Sequence, residues 1–140
     1  MSDFNKYDIE DICQPLLDEL NSIMSFKWDD WVGSILAEFS VEQKDAVRSI
    51  LNQFLPVAWD KTNIGTAPQV IQALDQRLGG VRYSQLLFNS EPSGDAFVFC
   101  AWWPWSNGTH ISLRFAPFGQ NLSEKEVADL LEKMKVWARI

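Results

Sequence analysis

The sequence is poor in the residues that carry most protein chemistry, with a single histidine, His110, and two cysteines, Cys13 and Cys100, in 140 residues. One histidine and no CxxC pair exclude a dedicated zinc site, and no metal or other cofactor is expected. The two cysteines lie far apart, each among apolar neighbours, which predicts reduced core thiols rather than a disulfide. Long apolar runs are also missing, and every purely apolar stretch is far shorter than the ~20 residues that cross a bilayer. The N-terminal stretch MSDFNKYDIEDICQ is acidic and has no apolar run. It reads as neither a secretory signal nor an Arg-rich transit peptide, so a cytoplasmic protein is expected. Positive charge is scarce as well: twelve Lys and Arg face nineteen Asp and Glu, for a net charge of −7. That balance disfavours unaided binding to nucleic acid or to an anionic membrane, and makes a basic protein the expected partner.

What the chain has is apolar and aromatic substance. Hydrophobic residues make up 46% and charged residues 22%, enough for residues 1–140 to form one globular domain that buries about two thirds of its unfolded surface. Capping-box spacing recurs at Ser40 with Gln43, Thr66 with Gln69 and Ser123 with Glu126, and predicts three helix starts. The helices are expected over about 41–55, 67–78 and 124–138. Their apolar stripes are Val47, Ile50, Leu51, Phe54 and Leu55; Ala67, Val70, Ile71, Leu74 and Leu78; and Val127, Leu130, Leu131, Met134 and Trp137. An earlier helix near 9–24 carries Ile9, Ile12, Cys13, Leu16, Leu20, Ile23 and Met24. Pro15 places its start near Asp11, or else kinks it. Between 26 and 39, Trp28, Trp31, Val32, Ile35 and Phe39 fit helical spacing while Trp31, Ile35, Ala37 and Phe39 also fit strand alternation; a helix is the favoured reading.

From Gly79 onward, β-branched and aromatic residues take over. Strands are expected at 81–89, 95–103 and 109–116, joined by Glu91-Pro92-Ser93-Gly94 and by Ser106-Asn107-Gly108. The architecture is therefore α+β: N-terminal helices, a three-stranded antiparallel meander and a C-terminal helix packed on the sheet. Asn107-Gly108 suggests a type I′ hairpin, which sets Ser106 opposite Thr109, Trp102 opposite Leu113 and Cys100 opposite Phe115. A loop lengthened symmetrically by two residues would keep the same parity. One sheet face then holds Val98, Cys100, Trp102, Ile111, Leu113 and Phe115, and belongs to the core. The other sets Phe97, Phe99, Trp103 and Trp105 against His110, Ser112 and Arg114. Either the last helix covers this second face, with Arg114 merely stacked on Trp103, or the face is an exposed aromatic patch of the kind that marks binding sites.

Negative charge is concentrated at the front. Residues 1–60 hold twelve acidic and four basic residues, for a net −8, and the remainder is near neutral. These carboxylates are either a solubilising surface or an acidic docking surface that steers a basic protein. No catalytic constellation is legible. Cys100 points to the opposite sheet face from His110, and Asp29-Asp30 lacks the further oxygen ligands a divalent ion needs, so no enzyme is expected. The favoured function is a small protein-binding domain, a bacterial immunity-type inhibitor that covers the basic active site of a cognate toxin. The expected partner-binding residues are Asp8, Asp11, Asp18, Glu19, Asp29, Asp30, Phe99, Trp103, Trp105, His110 and Arg114. One alternative is a small-ligand domain or enzyme with an aromatic pocket near Arg114 and His110. Another is a secretion chaperone, also small and acidic.

Overall fold

The computed structural model describes residues 6–91, 96–120 and 122–140, with side chains from Ile9 onward. Four helices, α1 (Lys6–Leu20), α2 (Lys44–Phe54), α3 (Gln69–Arg77) and α4 (Glu124–Ala138), accompany six strands. The strands are β1 (Phe26–Asp29), β2 (Ser34–Ser40), β3 (Val57–Trp59), β4 (Leu86–Asn89), β5 (Ala96–Pro104) and β6 (His110–Gly119). They form one antiparallel sheet in the order β1-β2-β6-β5-β4-β3. The expected meander is present as β4-β5-β6, but it is only the middle of a six-stranded sheet. The first meander strand is also shorter than expected, because a turn occupies residues 82–85 before β4 begins.

The largest departure from expectation is at 26–39, which is a β1-β2 hairpin and not a helix. The physical reason lies in the turn: the Asp29 carboxylate accepts from the amides of Trp31 and Val32, and Gly33 takes a positive φ of 75°. An aspartate capping its own turn and a glycine in the left-handed region stop helical propagation and reverse the chain. Ile35, Ala37 and Phe39 then alternate inward.

Helix α1 starts at Lys6 and runs through Pro15. Burial of Ile9 and Cys13 on one stripe with Leu16, Leu17 and Leu20 offsets the missing proline N–H. Burial also pushes the Cys13 thiol up to about 12, with the charge of Glu10 adding, and raises that of Cys100. Both are free, buried thiols, inert at neutral pH. Of the three capping boxes, only Ser123 with Glu126 forms reciprocally. Ser40 accepts from Glu42 N at the head of a short 3-10 turn, and α3 is preceded by Pro68 without a side-chain cap.

The sheet register is the one the Asn-Gly hairpin requires, with Trp102 opposite Leu113 and Cys100 opposite Phe115. The turn itself is longer than type I′. Trp105 N donates to His110 O and Gly108 N to Trp105 O, which leaves a four-residue loop over 106–109. Only Gly108, at φ 76°, is left-handed, while the Asn107 side chain accepts from Thr109 N. The loop grew by two residues symmetrically, so every side chain kept its face.

Helices α1, α2 and α4 cover the first face, where Leu16, Leu51, Leu130 and Met134 join Val98, Cys100, Trp102, Leu113 and Phe115 in one buried cluster. The second face is covered mainly by α3, with the last helix adding Leu131. Val70, Ile71 and Leu74 pack there on Leu87, Phe97, Phe99 and Ala116. This cover reaches one end of the face. The other end, toward the 106–109 loop, has no helix over it, although Leu36 and Ser112 there are buried.

Candidate protein-binding face

The open end is built from residues that the pairing places side by side on one face: Leu36, Glu38 and Ser40 on β2, Ser112 and Arg114 on β6, and Trp103 on β5. Arg114 is its fulcrum. Its Nε donates to Asp29 Oδ2 at 3.1 Å, and both side chains are only 13% exposed. The guanidinium lies 4.6 Å from the Trp103 ring centroid and 5.6 Å from that of Trp31. Cation–π contact and a charge-assisted hydrogen bond together fix the planar group. Although partial burial pushes the Asp29 carboxyl up, hydrogen bonds from Arg114 and from the Val32 and Trp31 amides hold it below its usual range.

Trp31 stands on this base. Its ring meets Trp103 edge-on at 6.2 Å and is 79% exposed. Beside it, Trp105 donates its Nε1 to Ser112 Oγ at 3.0 Å and stacks on His110 at 4.6 Å, while remaining 38% exposed. Glu38 borders the aromatics, 3.5 Å from both Lys27 Nζ and Ser112 Oγ, whereas Asp30 accepts from Trp28 Nε1, a ring that packs on the first face. The result is a supported aromatic surface whose cations, Arg114 and Lys27, are each paired with a carboxylate.

Trp103, Trp105, His110, Arg114 and Asp29 thus converge, whereas the Asp30 carboxylate is bonded to Trp28 of the first face. Phe99 does not belong with them: it lies beneath α3 and is 3% exposed. Asp11, Asp18 and Glu19 are exposed on α1, which packs on the opposite face of the sheet. The side chain of Asp8 lies outside the described residues. The acidic front and the aromatic face are therefore separate surfaces. His110 and Arg114 do not share a pocket either, since the groove that His110 lines excludes Arg114.

Sequence reasoning missed Trp31, which its helical spacing had assigned to a buried stripe. The available signal was Asp29-Asp30 before it and Gly33 after it, a turn pattern that puts the intervening side chain outside. Among the described residues no group of three or more His, Cys, Asp or Glu is placed to hold a metal ion. No described helix is long and apolar enough to cross a membrane. No family model, curated protein or solved structure matches the chain.

Proposed function

We propose that the chain is a cytoplasmic protein-binding domain that docks a basic partner on the open end of its second sheet face, acting as an immunity-type inhibitor over the active site of a cognate toxin. The observation that carries this reading is Trp31, a large apolar ring left 79% exposed over Trp103 and Arg114. Trp and Arg are the types enriched in interface hot spots. The net charge of −7 supports a basic partner through electrostatic complementarity.

The placement of the charges divides their roles. The α1 carboxylates are separated from the aromatic face by the sheet and a helix layer, a distance of ~10 Å or more. That exceeds the ~8 Å screening length at physiological salt. Glu38 borders the face and acts at contact. The test is to isolate the partner from the source organism on immobilised protein and follow its association rate. Glu38→Gln is expected to slow association at physiological salt, whereas Asp11→Asn, Asp18→Asn and Glu19→Gln slow it only at low salt. An acidic partner, or a rate indifferent to these substitutions and to salt, refutes the proposal.

A further inference from the structure

A second concavity lies at the sheet end, beyond the first face, and shares only His110 with the aromatic surface. It is an open groove of about 550 Å³ between the start of α2, the 60–63 turn, the 82–85 turn and the 106–109 loop. That volume is within the range of small-molecule sites. Its floor is the edge of Trp102 with Leu86 and Ile111. Lys44 and Arg48, one helical turn apart on α2, and Lys61 enter from its walls. Among the described residues none of these three cations is ion-paired.

Two carboxylates also line the groove. Asp60 accepts from Thr62 N at 2.8 Å and Asn63 N at 3.2 Å, both at Oδ1. Asp45 is the other. Three cations against two carboxylates leave a local excess of positive charge in a protein of net charge −7, the opposite of what random placement favours. Arg48 is positioned in advance, with its guanidinium 5.4 Å from the Phe88 ring centroid.

The rim adds backbone strain. Gln85 N donates to Arg82 O, and Gln85 Oε1 accepts from Arg82 N, closing a turn over 82–85. Ser84 holds φ 71° within it, a conformation that costs a non-glycine residue energy. The turn displays Tyr83, 79% exposed, at the groove mouth. An exposed ring on a strained turn, facing unpaired cations across an apolar floor, is matched to one ligand chemistry.

We infer that this groove binds a small molecule joining a planar ring to an anionic group, phosphate or carboxylate, with the ring against Tyr83 and the anion on Lys44 and Arg48. Planar stacking and charge-assisted hydrogen bonds would supply the two halves of recognition. The experiment titrates the intact chain with AMP for the phosphate source, naphthoate for the carboxylate source and adenosine as the uncharged control, followed by amide and indole NMR. At least one anion is expected to shift the α2 amides, the 82–85 amides and the Trp102 indole at submillimolar concentration, with adenosine leaving them in place. Lys44→Gln and Arg48→Gln should each weaken that binding roughly tenfold, the value of one charge-assisted hydrogen bond. Lys44 is exposed, so its variant stands even if loss of the Arg48 contact with Phe88 disturbs the fold. Trp31→Ala should leave the titration unchanged. Silence with both anions, equal shifts with adenosine, or indifference to Lys44→Gln overturns the site.

Discussion

The two faces of the sheet are built from the same strands yet solve opposite problems. On the first, three helices bury Val98, Cys100, Trp102, Leu113 and Phe115 completely or nearly so. On the second, one short helix, α3, covers Phe97 and Phe99 and stops, leaving Trp103, Trp105 and Arg114 to be covered by each other and by Trp31. The difference shows how a sheet can keep aromatic rings at its surface without collapse. The rings at the open end are tied to polar groups: Trp31 and Trp103 lie against the Arg114 guanidinium, itself bonded to Asp29, and Trp105 donates to Ser112. Stability resides in the first face and recognition in the open part of the second.

The widest separation between the faces should come from truncating neighbouring tryptophans. Trp102, 6% exposed and in edge contact with Phe39 at 5.6 Å, should cost about 3 to 5 kcal/mol as Trp102→Ala in urea unfolding. Trp105→Ala should cost about 1 kcal/mol, the net value of its hydrogen bond to Ser112. Equal losses would mean that both faces are core.

Next in size is Arg114→Ala, which leaves the largely buried Asp29 carboxylate without its cation and should cost about 2 kcal/mol at neutral pH. The sign with pH follows from Asp29. Its carboxyl is lowered in the fold, so the pair contributes fully above the unfolded value near 4 and is lost as pH falls through the lower folded value. Stability of the parent chain should drop more between neutral pH and pH ~3 than that of Arg114→Ala. Parallel acid profiles would show that the pair does not anchor the open face.

These expectations rest partly on what the sequence already discloses. The β5-β6 register, and with it the composition of both faces, was legible from Asn107-Gly108 and strict alternation, because parity survives a loop that lengthens evenly. The capping box at Ser123 with Glu126 was legible for the same local reason. Residues 26–39 were misread because Trp28, Trp31, Val32, Ile35 and Phe39 satisfy helical spacing, while the Asp29 and Gly33 turn that overrides it depends on side-chain capping. Strand β3 has three residues, too few for alternation to register. That α3 supplies most of the second face's cover, with α4 adding only Leu131, is a tertiary choice on which amphipathicity is silent, since both helices carry one apolar stripe.

Smaller again is the turn that keeps the open end in shape. Gly108 has φ 76° and no atom within 4 Å of the position a Cβ would take, so Gly108→Val isolates conformational strain from steric clash. It should cost about 1 to 2 kcal/mol in thermal or urea unfolding. No change would mean that the loop relaxes to a different turn.

The smallest effect on stability belongs to the residue given the largest effect on function. Trp31→Ala removes a ring that is 79% exposed and should shift unfolding by no more than ~0.5 kcal/mol. The decisive measurement is the dissociation constant of the isolated partner for Trp31→Ala set beside that of the parent chain. Loss of at least 2 kcal/mol of binding, about thirtyfold, in a variant of unchanged stability is the result predicted for a hot spot. Unchanged affinity would contradict the assignment of recognition to this face.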